Sequence, residues 1–159
     1  MLNHSIKTGV SFGLTSGVIT TLGLMVGLNS GTHSRLAVMG GILTIAVADA
    51  FSDALGIHIA EESENTHTHG EIWQATIATL LSKFFFALTF AVPVFFLELP
   101  TAVAVSVVYG LAVLGIMSFF LARGQGDNPW KVIAEHLGIA LLVIFVTHGV
   151  GLWIGARFS

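Results

Sequence analysis

Two acidic side chains lie inside an apolar stretch of this sequence, where a charge is costly. Asp49 and Asp53 are the only Asp, Glu, Lys or Arg residues between positions 36 and 60. A carboxylate at the centre of a membrane helix costs about 2.5–3.5 kcal/mol on insertion scales, so such residues indicate a functional site. The i, i+3, i+4, i+7 spacing of one helical face is kept by Asp49, Ser52, Asp53 and Gly56. Two carboxylates and a hydroxyl one turn apart can chelate a hard divalent ion.

Lys83 offers an alternative role for one of these acids. It lies in the next apolar segment, as far from the connecting loop as Asp49 is. Two antiparallel helices joined by a short loop would therefore bring Lys83 and Asp49 to a similar depth. Two interpretations follow. Either both acids bind an ion, or Lys83 neutralises Asp49 in a structural ion pair and leaves Asp53 as the freer ligand.

A dense run of imidazole and carboxylate groups follows the two acids. Imidazole together with carboxylate suits Fe²⁺, Mn²⁺, Zn²⁺ or Ni²⁺ better than Mg²⁺ or Ca²⁺. The run therefore predicts metal attraction by His58, Glu61, Glu62, Glu64, His67 and His69. The alternative is a solvated acidic loop, in which Glu71 stabilises the N-terminus of the third helix through the helix dipole.

Five apolar segments carry these residues, each near or above the ~20 residues that a spanning helix needs. They cover about 9–29, 36–60, 72–97, 101–121 and 132–156, and a short His/Glu-rich loop occupies 61–71. Because short connections join antiparallel neighbours, the sequence predicts an all-α fold, a single transmembrane domain over residues 1–159 built as a five-helix bundle. Three cationic residues near one membrane face against two near the other favour a cytoplasmic N-terminus and a cytoplasmic acidic loop.

The composition indicates a protein of the lipid bilayer and argues against several other classes. Of the residues, 54% are hydrophobic and 9% are charged, whereas about a quarter are charged in soluble domains. A net charge of −3 argues against a nucleic-acid partner. The absence of cysteine excludes thiolate metal sites and cysteine nucleophiles. No nucleophile–base pair or HExxH motif is present, so we predict neither an enzyme, nor catalytic residues, nor a prosthetic group.

The first segment has a stripe of small and polar residues, namely Gly9, Gly13, Ser16, Thr20, Gly23 and Gly27. Such a stripe lets helices approach closely in lipid, which predicts a packing seam. The alternative is a permeation lining formed by hydroxyl groups, for which we name Ser16, Thr20 and Ser52. A seam at a homodimer axis would satisfy both interpretations. In the third segment, Pro93 predicts a kink near the end of the helix.

Three stretches resemble the vacuolar iron transporter family. GLTSGVITTLGLMVGL is similar to the family's first helix, AVADAFSDALGIHIAEESE to its second and WKVIAEHLGIALLVIFVTHGVGLWIG to its last. The resemblance implies a five-helix homodimer that exports Fe²⁺ or Mn²⁺ from the cytosol, coupled to protons. In that family the metal crosses along the dimer axis between the first two helices.

The sequence departs from the family pattern at its metal ligands. Ser16 stands where the family has Asp, and Asp53 stands where it has Met. Ile45 and Ile57 replace two Glu residues, and Asp49 stands where the family has Gly. The family's long Glu-rich insertion is reduced here to the His/Glu-rich loop. Charge has thus moved from the first helix to the second.

Two functions follow from these observations. The first is a divalent transition-metal transporter, with Asp49 and Asp53 as its intramembrane ligands. It would lie in the cell membrane of a prokaryote, or in a vacuolar or other organelle membrane of a eukaryote. The second is a non-transporting membrane protein that senses metal or binds a partner, with Asp49 and Lys83 as a structural ion pair.

Overall fold

The computed structural model describes residues 4–158, which form helices joined by short connections and contain no β-strand. The helices are α1 His4–Thr32, α2 Arg35–Ser63, α3 His69–Thr89, α4 Ala91–Phe96, α5 Leu99–Gln125 and α6 Pro129–Phe158. Five candidate spans are long and apolar enough to cross a membrane: α1, α2, α3 together with α4, α5, and α6. The predictions of an all-α fold and of five candidate spans are confirmed.

The helices extend beyond the apolar segments at both ends, and the connections are correspondingly short. α2 continues through Glu61 and Glu62, and α3 begins at His69. The connection between them is therefore residues 64–68, and much of the run expected as a loop is helical. Polar residues at the end of a spanning helix keep their backbone bonded while their side chains reach water. An apolar run therefore underestimates helix length.

Local capping signals define the start of α3. The Thr68 hydroxyl accepts a hydrogen bond from the Glu71 backbone N–H at 3.4 Å, and Glu71 Oε2 accepts one from the Thr68 backbone N–H at 2.9 Å. This reciprocal pair is a capping box, which satisfies two N–H groups that the helix leaves free. Glu71 lies in the first turn of α3, as the predicted role requires, and it caps this N-terminus through hydrogen bonds.

The third span is interrupted between α3 and α4. α3 ends at Thr89, Phe90 lies outside both helices, and α4 follows with Pro93 near its start. Proline has no N–H to donate and its ring clashes with the carbonyl four residues earlier, here that of Thr89. The interruption agrees with the predicted kink.

α1 is the central helix of the bundle and packs against α2, α3, α5 and α6. Its apolar residues Leu14, Val18, Leu22 and Met25 belong to the buried core. The core is completed by side chains from the surrounding helices, including Val38, Ile42, Phe90, Val94 and Leu114.

The small residues of α1 form two packing seams within the chain. Gly9 and Gly13 lie against α3, where an added Cβ would collide with Ala75 and Ser82. Further along, a Cβ at Gly23 would lie 2.8 Å from Val143 of α6, and one at Gly31 would lie 3.0 Å from the Gly151 carbonyl. These glycines therefore pack against helices of the same chain.

Candidate functional site

Asp49 and Asp53 project from α2 toward α3 and reach the same lysine. Lys83 Nζ lies 2.5 Å from Asp49 Oδ2 and 2.5 Å from Asp53 Oδ2. Nζ also donates a hydrogen bond to Ser16 Oγ of α1 at 2.8 Å. The four groups, which we call the acid–lysine site, therefore join α1, α2 and α3.

The predicted ion pair between Asp49 and Lys83 is confirmed, but the expectation that Asp53 remains the freer acid is wrong. Pairing with Asp49 alone would have left Asp53 as the freer ligand. Instead, the ammonium group contacts both carboxylates. The i, i+4 spacing places both acids on one face of α2, and a four-carbon stem is long enough to reach a point between them.

Lys83 is the most buried member of the site. Its side chain is 1% exposed, against 28% for Asp49 and 18% for Asp53. Burial of an ammonium group is costly unless oppositely charged partners and hydrogen bonds compensate for lost hydration. Gly17 gives the stem room, since a Cβ there would lie 3.4 Å from Lys83 Cγ.

The acid–lysine site contains two carboxyl groups and one amino group. When all three are in their ordinary ionised forms, their formal charges sum to one net negative charge per chain. Lys83 Nζ donates a hydrogen bond to Asp53 Oδ2, and Asp49 Oδ2 lies equally close to the same nitrogen as an ion-pair partner.

The site opens to the surface beside α2. Asp49 and Ser52 line a groove together with Leu24, Gly41, Thr44, Ile45 and Ala48. Ser52, one of the three hydroxyls named as a permeation lining, is exposed there. Thr20 is half-buried and donates to the Ser16 carbonyl of its own helix at 2.8 Å. Of these three hydroxyl groups, that of Ser16 contacts Lys83.

The groove is flanked by small residues on the outer face of α2, all exposed, at Gly40, Thr44, Ala48, Ser52 and Gly56. We call this set the α2 stripe. An added Cβ at Gly40 or Gly56 would meet nothing within 4 Å. The four-residue spacing is visible in the sequence, but whether it faces the chain's own core or the outside depends on how α2 is rotated.

The His/Glu run divides into two sets of contacts near the N-terminal ends of α1 and α3. Glu61 is buried, and its Oε2 lies 3.3 Å from His67 Nε2. Glu64 Oε2 lies 3.5 Å from the same nitrogen. The His67 ring stacks on that of His4, with centroids 6.5 Å apart. The imidazole of His67 therefore contacts two carboxylates and a second imidazole at this connection.

The second set lies on α2 and α3. His58 Nδ1 and Thr76 Oγ1 are 2.9 Å apart, and the His58 ring packs edge-on against Trp73. His69 Nε2 accepts a hydrogen bond from Trp73 Nε1 at 3.2 Å. Glu62 is exposed. In this arrangement His58 and His69 are turned toward Trp73 and Thr76 and away from Glu61.

The predicted ligands thus occupy separate places. Across residues 4–158, no three or more His, Asp or Glu side chains are arranged as a ready metal-binding group. Asp49 and Asp53, within the candidate span, contact the ammonium group of Lys83. Glu61 and Glu64, near the connection, contact His67. Three groups missed by the sequence analysis are Ser16 as a partner of Lys83, Thr76 as a partner of His58, and the α2 stripe.

The comparisons with known proteins find no match for this chain, either among protein-family models or among curated proteins.

Proposed function

We propose that this chain is a membrane transporter for a divalent transition-metal cation, Fe²⁺ or Mn²⁺, with Asp49 and Asp53 as the ion ligands. One observation carries the proposal: two carboxylates within a candidate span share a single buried ammonium group beside an open groove. A structural ion pair needs one acid for one lysine. The second acid leaves a net negative charge, which is costly in a membrane unless a cation or proton binds there.

The His/Glu run supports the proposal as a place where ions gather. Glu61, Glu62 and Glu64 add negative charge where α2 leaves the apolar region, and such charge raises the local concentration of cations. Imidazole from His67 adds a preference for transition metals. Resemblance of the first, second and last helices to the vacuolar iron transporter family points to the same class of cargo.

A second copy of the chain would complete the site as a homodimer. The α2 stripe exposes hydroxyl groups and small residues beside Asp49, and small residues every four positions let two helices approach closely in lipid. Two copies of the acid–lysine site facing each other would carry two net negative charges, which match one divalent ion. Proton coupling follows if protons replace the metal on the emptied carboxylates.

The proposal is tested by Mn²⁺ uptake into proteoliposomes containing the purified chain. We expect the wild type to exceed protein-free vesicles, and Asp53→Asn to lower the rate at least tenfold, because a ligand and its charge are lost together. The matched control is Glu135→Gln, which removes an exposed carboxylate at the other end of the chain and should leave uptake unchanged. Unchanged uptake by Asp53→Asn would refute the assignment.

A non-transporting metal sensor is the second candidate function. The contacts favouring it are those of Glu61 and Glu64 with His67, which would let the connection respond to a bound metal. It predicts no Mn²⁺ uptake by the wild type, together with Mn²⁺ binding that disappears in His67→Ala. The transporter predicts uptake that survives this substitution, with a higher KM for Mn²⁺.

A further inference from the structure

We propose that Lys83 is a tethered cation that fills the ion site of the unloaded protein and must withdraw when an ion binds, an inference that rests on the proposed role of Asp49 and Asp53 as ion ligands. The ammonium group is surrounded by three oxygen atoms, two of them charged, at 2.5, 2.5 and 2.8 Å. Carboxylate and hydroxyl oxygens are also ligands for hard divalent ions. The ammonium group and an incoming ion therefore compete for the same atoms.

The side chain of Lys83 is suited to withdrawal. Lysine carries a compact charge on a flexible stem, whereas arginine presents a planar fork that holds carboxylates through paired hydrogen bonds. The stem passes Gly17, which has no side chain to clamp it. We expect the ammonium group to leave the carboxylates by rotamer changes of this flexible stem.

The geometry also gives an order of events. Asp49 is the more exposed acid and lines the groove. Asp53 is less exposed and accepts a hydrogen bond from Lys83. An ion arriving through the groove meets Asp49 first and then displaces the ammonium group from Asp53. The return of the ammonium group favours release of the ion.

The inference predicts that removal of the lysine charge tightens metal binding. The experiment measures the Kd for Mn²⁺ by calorimetry on the full-length chain in detergent. Lys83→Gln keeps a polar side chain and removes the competing charge, so we expect its Kd to be at least about tenfold lower than that of the wild type, since a unit charge a few ångströms away contributes more than this factor. Lys131→Gln is the matched control, because Lys131 is 77% exposed, and should bind as the wild type does.

Two further variants keep the inference falsifiable if Lys83→Gln does not fold. Lys83→Arg keeps the charge but holds the carboxylates more firmly, so Mn²⁺ should bind at least about threefold more weakly than to the wild type. The double variant Lys83→Gln/Asp53→Asn keeps the formal charge of the wild-type site at one negative charge, and we expect it to lack the gain in affinity. Equal affinity of Lys83→Arg and the wild type, or a Lys83→Gln protein that binds no more tightly, overturns the inference.

These outcomes are distinguishable from those of the uptake assay. A wild type that transports no Mn²⁺ refutes the proposed transport function. If Lys83→Gln still gains affinity in that case, the tethered cation stands as a property of a binding site. If the wild type transports Mn²⁺ and Lys83→Gln gains nothing, transport stands and the lysine is a structural partner of the acids.

Discussion

Lys83 compensates the charge of the two carboxylates that lie within a candidate span. Each of the two acids would be costly within a span if left unpaired, and so would the lysine. Removal of one partner from a buried ion pair typically destabilises a protein by about 3–5 kcal/mol, because the remaining charge is left uncompensated. The two acids and the lysine therefore depend on each other, and the surplus negative charge is the feature that stability alone does not explain.

At the residue scale, the sequence predicts that the two acids and Lys83 lie close together, but it does not predict all the contacts that they make. The spacing of Asp49, Ser52 and Asp53 places them on one face, and the short connection places Lys83 at their depth. Contact of the lysine with both acids depends on the rotation of α2 against α3, which the connection does not define. Contact with Ser16 depends on α1 lying against both helices, a non-local arrangement that no local signal reports.

The role of Glu71, by contrast, can be predicted from its neighbours in the sequence. Its role depends on Thr68, three residues earlier, and a Thr followed three positions later by Glu is a local signature of a helix start. The His/Glu connection is less predictable, since Glu61 and His67 meet only because the chain turns back between them. The short distance between Glu61 and His67 along the sequence does not by itself predict that their side chains meet.

At the scale of elements, α1 and α6 pack closely through their small residues. A Cβ at Gly151 would collide with the Gly27 carbonyl and would lie 2.9 Å from Ser30 Cβ. One turn further along both helices, a Cβ at Gly155 would lie 2.9 Å from the Gly31 carbonyl. The sequence predicts that α1 has a packing seam, but it does not identify α6 as the partner, because small residues recur on both helices.

We predict that Gly151→Val separates α1 from α6 and destabilises the bundle. The added side chain has no space, and overpacking of this kind typically costs about 1–3 kcal/mol, with backbone contact at the upper end. Thermal unfolding in detergent measures the effect. Gly149→Val is the control, because the same change two residues earlier on α6 meets nothing within 4 Å. Equal unfolding temperatures of the two variants would contradict the seam.

At the scale of the whole molecule, the α2 stripe is an outer surface with unusual composition. Many side chains exposed elsewhere are large and apolar, such as Phe85, Phe120 and Phe145, as expected for contact with lipid. The stripe instead presents small and hydroxyl-bearing residues next to Asp49. Helix packing against a second copy of the chain would remove these groups and the acid from lipid.

A cysteine-free chain allows this surface to be tested by single cysteines. We expect Ala48→Cys to form a disulfide-linked dimer when native membranes are oxidised, because Ala48 lies at the centre of the stripe. Leu142→Cys, on the exposed face of α6, is the control and should remain monomeric on a non-reducing gel. Cross-linking through position 142 alone would place the dimer interface on α6 and leave the α2 stripe without its proposed role.

The central claim is that an ion binds between Asp49 and Asp53. The measurement that tests it most directly is the anomalous scattering of Mn²⁺ in crystals of the full chain grown with the metal. We predict a peak within ~2.5 Å of carboxylate oxygens of Asp49 and Asp53, the distance range of metal–oxygen bonds, with the Lys83 ammonium group withdrawn from the site. A peak only at Glu61, Glu64 and His67, with Lys83 still bridging the two acids, would contradict the claim.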